Sequence, residues 1–152
     1  MKNFIQITFL LLFPICCFSQ DEKNKIIVPF DVVEVPLTNQ ECNNIEFRTK
    51  RVGTKEIKYI YKIEEHKKCI KDFIREFVKE DLYKFVTSER NRFRVSAIIT
   101  FNSEGAVTDV KTRSPYEEVS AKMKEKLLEL PDFTPASQRG ENVGCILNVS
   151  LY

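Results

Sequence analysis

The sequence predicts an α+β fold, a small two-layer domain in which a sheet is backed by helices. Apolar residues alternate with mostly polar ones from Phe93 to Phe101 and again from Val143 to Leu151, which is the period of half-buried strands. Between and before these runs, apolar residues recur at helical spacing. The predicted order is strand, strand, helix, strand, preceded by an amphipathic helix and by an N-terminal strand or hairpin extension.

Residues 1–19 have the pattern of a signal peptide. Met1-Lys2 is a short positive region, and the apolar run 4–18 is followed by the small residue Ser19. We expect cleavage after Ser19 or Gln20. Two alternatives stay open: an uncleaved anchor, for which the run is shorter than the roughly 20 residues of a spanning helix, and lipidation at Cys16 or Cys17.

Residues 20–63 are predicted to form an N-terminal extension. Pro29 and Pro36 interrupt the strand-like run IIVPFDVVEVP, which indicates an edge strand or an extended arm across the core. The alternative is a docking segment for a partner. Two further strand-like runs, 46–51 and 56–63, flank Val52-Gly53-Thr54 and predict a hairpin.

The amphipathic helix begins at about Glu64. Its apolar stripe is Ile70, Phe73, Ile74, Phe77, Val78, Leu82 and Phe85. Burying each large side chain stabilises a fold by roughly 1.5–3 kcal/mol, so we expect the stripe to pack in the core rather than to form a partner groove.

The next elements form a hairpin followed by a second helix. Residues 102–105 are turn formers, and Val107 to Thr112 predicts the returning strand. Val107 and Val110 would lie on opposite faces of a regular strand, so we expect a bulge. The helix is predicted to start with a capping box at Ser114-Pro115-Tyr116-Glu117 and to end before Pro131. Its apolar positions are Val119, Met123, Leu127 and Leu130.

The composition and the motifs exclude several classes of function. The 24 basic and 22 acidic residues are mixed along the chain, and the net charge is +2. This balance predicts no basic patch of the kind that binds nucleic acid or an anionic membrane. The single histidine, His66, lies among charged residues, and we expect it to be solvated. No catalytic or metal-binding motif occurs. We therefore expect no enzyme activity, no cofactor and no metal.

The last sixty residues resemble the C-terminal domain of the TonB family. The run F-N-S-E-G-A-V-T-D-V-K-T-R-S-P is followed by a helix and by L-P-D-F-T-P-A-S-Q-R-G-E-N-V. The residues that match the specified positions of the family pattern are Leu130, Pro131, Pro135, Gly140 and Val143. The resemblance covers well under half of the chain. It implies a TonB-like domain over residues 64–152 and a periplasmic location.

The resemblance also implies a disulfide between Cys42 and Cys69, with two free thiols as the alternative. Export favours a disulfide because such bonds persist outside the cytoplasm. Cys145 shares a predicted strand face with Val143 and Leu147, and we interpret it as a small buried apolar residue.

The function that the resemblance implies is protein binding. An outer-membrane transporter would add a short extended segment to the C-terminal strand by β-augmentation, and this contact would link the transporter to proton-motive energy from the inner membrane for energy-coupled transport. The candidate contacts are the backbone groups of Val143, Gly144, Ile146 and Asn148, oriented by Arg139 and Glu141. Two alternatives remain: this strand only closes the sheet or pairs in a homodimer, or the chain is a soluble structural or adaptor protein of the cell envelope that transmits no force.

Overall fold

The computed structural model describes residues 26–42, 47–60, 62–88 and 94–151, and these residues form an α+β fold. The predicted signal peptide lies outside the described residues. The elements are β1 (Ile27–Pro29), β2 (Phe47–Val52), β3 (Lys55–Ile60), α1 (Ile63–Ser88), β4 (Ser96–Phe101), β5 (Val107–Arg113), α2 (Glu117–Leu128), β6 (Ala136–Gln138) and β7 (Glu141–Ser150). A short strand, β6, comes between the second helix and the last strand, and the predicted order omitted it.

The main sheet has the strand order β1-β7-β4-β5, and β6 also pairs with β7. Strand β7 is antiparallel to β4 and β6 and parallel to β1. Strands β2 and β3 form a separate two-stranded sheet, which confirms the predicted hairpin. No helix in the described part of the chain is both long and apolar enough to cross a membrane.

The two alternating runs place their apolar residues in one core, as predicted. Buried positions of β4 and the residue before it are Val95, Ala97, Ile99 and Phe101, and those of β7 and the residue after it are Val143, Cys145, Leu147, Val149 and Leu151. Phe93 lies outside the described residues. The helices add Ile70, Ile74, Val78 and Leu82 from α1 and Val119, Met123 and Leu127 from α2. The helices thus cover one face of the sheet, and Ile98 and Ile146 on the other face are exposed.

The predicted bulge is present where β5 meets the end of β4. Thr100 pairs with Asp109 and Phe101 with Val107, so Thr108 is the extra residue. In the turn, the Asn102 side-chain oxygen accepts hydrogen bonds from the N–H groups of Glu104 (2.9 Å) and Ala106 (3.0 Å). Gly105 has a φ of +91°, and a Cβ there would overlap the carbonyl group of Phe133. Only glycine fits this contact between the turn and the segment before β6.

The predicted capping box of α2 is wrong. The helix starts at Glu117 with Tyr116 as its N-cap, and no side chain caps it. The Ser114 hydroxyl instead accepts a hydrogen bond from the N–H of Tyr116 at 3.2 Å. A serine can bond its own chain two residues on, and this local turn replaces the predicted cap.

The N-terminal arm packs onto the core as predicted. Phe30, Val33 and Leu37 are buried in the same cluster as the sheet residues. Val35 and Thr38 form bridges with the segment around β6. Cys42 follows and forms a disulfide with Cys69 of α1, with their Cα atoms 5.9 Å apart. The loop closed by this bond contains the whole β2–β3 hairpin.

The expectation that His66 is solvated is wrong. Its side chain is buried, and Nε2 lies 2.7 Å from the carbonyl oxygen of Leu37. Because a carbonyl only accepts, Nε2 carries the proton and donates it. Burial lowers the pKa of His66 below its usual value, more than the bond to Leu37 raises it. The neutral imidazole thus ties α1 to the N-terminal arm.

Replacing both Cys42 and Cys69 by alanine should lower the free energy of unfolding by about 3–4 kcal/mol, because the bond closes a loop whose ends are 27 positions apart. Urea unfolding monitored by circular dichroism measures the loss. Wild-type protein in reducing agent is the control and should show the same loss; equal stability with and without the bond would contradict the prediction.

The stability of the fold should depend on the protonation of His66. Its native pKa lies below the unfolded value of 6.5, so the unfolded chain binds the extra proton first. Stability is therefore complete above about pH 6.5 and falls as the pH drops from there towards the native pKa. Urea unfolding between pH 8 and pH 5 should show a shallower dependence for His66→Gln than for wild type, and identical slopes would refute the assignment.

Candidate functional site

The candidate site is the edge of β7 that faces away from β4. At the end of the strand, the N–H of Leu151 donates to the carbonyl of Val95 at 2.8 Å. In an antiparallel pair, alternate residues direct both backbone groups at the partner. Leu147 and Val149 therefore bond towards β4. Gly144, Ile146 and Asn148 direct their N–H and C=O groups at the opposite edge, which we call the outer edge of β7.

The expectation that this edge is free is wrong for its first part. Strand β1 pairs with it in parallel, with Ile27 opposite Gly144, Val28 opposite Cys145 and Pro29 opposite Ile146. A Cβ on Gly144 would lie 2.8 Å from the carbonyl oxygen of Phe101 at the end of β4, so glycine is needed mainly for that contact; it would also lie 3.3 Å from Cγ1 of Ile27 in β1. The chain's own N-terminal arm thus occupies the place predicted for a partner.

Strand β1 makes a short contact, held mainly at one end. It covers three residues of β7. Ile26 is 65% exposed and Ile27 is 49% exposed, whereas Phe30, just after the strand, is 3% exposed. The arm is therefore anchored mainly by Phe30, and of the paired residues before it only Val28 is partly buried against the core. Pro29 suits an edge strand because proline lacks the N–H that a further strand would need.

A recess of about 270 Å³ opens on the outer edge where β1 ends. Its lining residues are Pro29, Phe30, Asp31, Lys71, Ile146, Leu147 and Asn148. The pairing with β1 stops at Ile146, so among the described residues no strand pairs with the outward backbone groups of Asn148. The recess is thus a strand edge with an apolar floor and two charged side chains.

Helix α1 flanks this edge with three cationic side chains one turn apart. The Lys67 ammonium lies 2.9 Å from Asp31 and 3.0 Å from Glu64. The Arg75 guanidinium donates to the carbonyl of Ser150 at 2.8 Å and to Asp72 at 2.6 Å. Lys71 lies between them and, within the described part of the chain, makes no ion pair.

The structure separates the predicted site residues into two groups. Ile146 and Asn148 line the recess, and Gly144 lies under β1. Val143, in contrast, pairs with Ala136 of β6. Seven residues at about 3.3 Å each put Glu141 about 23 Å from Asn148.

Arg139 is also distant from the recess. It occupies the β6–β7 turn with a φ of 56°, and its N–H donates to the Glu34 carboxylate at 2.8 Å. Arg139 and Glu141 could therefore orient only the far end of a bound segment.

Sequence reasoning missed Lys71 and the arm residues Pro29 to Asp31 as part of the site. The positions Lys67, Lys71 and Arg75 repeat every four residues, which places them on one helix face. That spacing could have predicted a cationic stripe. Nothing in the sequence showed that this stripe lies beside the last strand.

Two further kinds of reactive group could carry chemistry in the described part of the chain, the free thiol of Cys145 and clusters of metal-binding side chains. Burial raises the pKa of the Cys145 thiol to about 12, so it stays protonated and unreactive at neutral pH. In the described ranges, no group of three or more His, Cys, Asp or Glu side chains is placed to hold a metal ion.

No known protein family, curated protein or solved structure matches the chain in comparisons of sequence and structure.

Amide hydrogen exchange followed by NMR should report this geometry residue by residue. We expect the Asn148 amide to exchange fast because it points away from β4 beyond the end of β1. The Leu147 and Val149 amides should be strongly protected, and the Ile146 amide should be intermediate because it depends on β1. Strong protection of Asn148 would show that the outer edge is closed along its whole length.

Proposed function

We propose that the chain is a periplasmic, TonB-like protein-binding module that takes an extended segment of a partner at the outer edge of β7. The partner would be an outer-membrane transporter or another envelope protein. The observation that supports this proposal is the row of outward backbone groups at Gly144, Ile146 and Asn148, of which β1 covers only the first part. Backbone hydrogen bonds would supply affinity, and alternate side chains would supply selectivity.

Binding along the full edge requires strand exchange. A partner strand lying along Gly144 to Asn148 would remove β1 and replace its hydrogen bonds one for one. It would gain the bonds to Asn148 that β1 does not make. Because Ile26 and Ile27 are about half exposed or more, their release costs little hydrophobic burial, and the main loss would be the packing of the partly buried Val28. The anchor at Phe30 would remain in the core throughout the exchange.

The opposite edge of the sheet is less suited to the same role. Strand β5 forms that edge, and its exposed residues include Lys111 and Arg113. Charged side chains on an edge strand discourage pairing with another chain. The outer edge of β7 instead presents Ile146, which is 39% exposed, and Asn148.

The second candidate is a structural or adaptor protein of the cell envelope in which β1 closes the sheet permanently. The burial of Phe30, Val33 and Leu37 favours this reading because it holds the arm close to β7. A homodimer is a related case, in which a second copy supplies the added strand. The two candidates differ in whether β1 can leave the outer edge of β7, because the binding module requires its release and the structural or adaptor protein does not.

A disulfide that locks β1 separates the candidates. Val28 pairs with the native Cys145, and neighbouring strands lie about 4.8 Å apart, within the Cα separations of about 4.4–6.8 Å that disulfides span. Val28→Cys protein refolded under oxidising conditions, so that the bond forms before folding buries the Cys145 thiol, should therefore hold β1 in place. We expect it to lose binding to N-terminal peptides of outer-membrane transporters, measured by fluorescence anisotropy or NMR, and to regain binding on reduction.

Wild-type protein treated with the same oxidant and reductant is the control, because reduction also opens the bond between Cys42 and Cys69. Sedimentation of the wild type distinguishes a homodimer from a monomer. Unchanged peptide binding by the locked protein would rule out strand exchange. Absence of binding by unlocked wild-type protein at high micromolar peptide would instead favour the structural or adaptor protein.

A further inference from the structure

We infer that the partner segment carries a carboxylate that pairs with Lys71 in the recess beside Asn148. The inference rests on the proposed function and adds the chemical class of the ligand: an extended peptide with an acidic side chain on its helix-facing side. Three observations support it, namely the position of Lys71, the partners of its neighbours on α1, and the charge balance of the recess.

Lys71 is positioned to contact a strand that pairs with Asn148. Both residues line the same recess, Lys71 from α1 and Asn148 from the edge of β7. Helix α1 covers the inner face of the sheet, so Lys71 approaches the edge from that side. Successive side chains of a strand point to opposite faces. Every second residue of an added strand would therefore face Lys71.

The neighbouring cations on the same helix face already have acceptors. One turn before, Lys67 is held by Asp31 and Glu64. One turn after, Arg75 is held by the Ser150 carbonyl and by Asp72. Among the described ion pairs none includes Lys71, although it lies between these two. An incoming carboxylate would give Lys71 an acceptor, as Lys67 and Arg75 already have.

The other charge in the recess does not replace such a ligand. Asp31 lines the recess, but its carboxylate accepts from Lys67 at 2.9 Å. Its repulsion of an incoming anion is therefore partly offset by Lys67. Lys71 is the group left to attract the partner, and pairing at the rim of a strand would fix the register of the bound segment more than it adds affinity.

Capped eight-residue peptides that alternate threonine and valine test the inference. One series carries a single Asp moved through the alternate positions, and the matched series carries Asn at the same positions. Binding to the mature protein is followed by chemical-shift changes of the Ile146 and Asn148 amides. We expect the best Asp peptide to bind about fivefold tighter than its Asn counterpart, the size of a partly exposed ion pair.

The preference for Asp should disappear in Lys71→Glu and persist in Lys68→Glu, which makes the same charge change on the same helix but outside the recess. Equal binding of the Asp and Asn peptides to wild type would overturn the inference while leaving strand exchange intact. The same loss in both variants would also overturn it, because it would reflect net charge alone. Absence of binding by every peptide would overturn the proposed function together with the inference.

Discussion

The alternation of backbone direction along β7 is the constraint on which the rest of the structure depends. From Cys145 to Val149, its odd-numbered residues turn their side chains into the core and their backbone groups towards β4. The even-numbered residues Gly144, Ile146 and Asn148 turn their backbone groups to the outer edge. A shift of register by one residue would exchange both assignments at once. The core packing of Cys145 and Leu147 therefore determines which peptide groups a second strand can reach.

Strand β1 pairs with the backbone groups at the start of the outer edge of β7 and does not cover the whole edge. Strand β1 pairs with three residues, while the arm after it is buried through Phe30 and Leu37. The contact of His66 with the Leu37 carbonyl and the disulfide at Cys42 fasten the same arm to α1. The fold thus fixes the arm downstream of β1 and leaves β1 itself as the lightly held part.

The sequence predicted the structural features that local periodicity controls. It did not predict the features that depend on contacts between residues far apart in the chain. Alternation identified the buried faces of β4 and β7, and the mismatch between Val107 and Val110 identified the bulge. His66 was misjudged because its charged neighbours suggested solvent, whereas its partner carbonyl is 29 residues away. The pairing of β1 with β7 was not predicted, because three residues with a proline carry no register signal. Lys71 could be identified as a site residue only from the packing of α1 beside β7.

Cross-strand nuclear Overhauser effects between β1 and β7 test the exchange most directly. In the free protein, backbone contacts should connect Val28 with Gly144 and Ile146. When a partner strand is bound, we expect these contacts to vanish and intermolecular contacts to the same two residues to take their place. Persistence of the contacts between Val28 and β7 in the fully bound protein would rule out strand exchange.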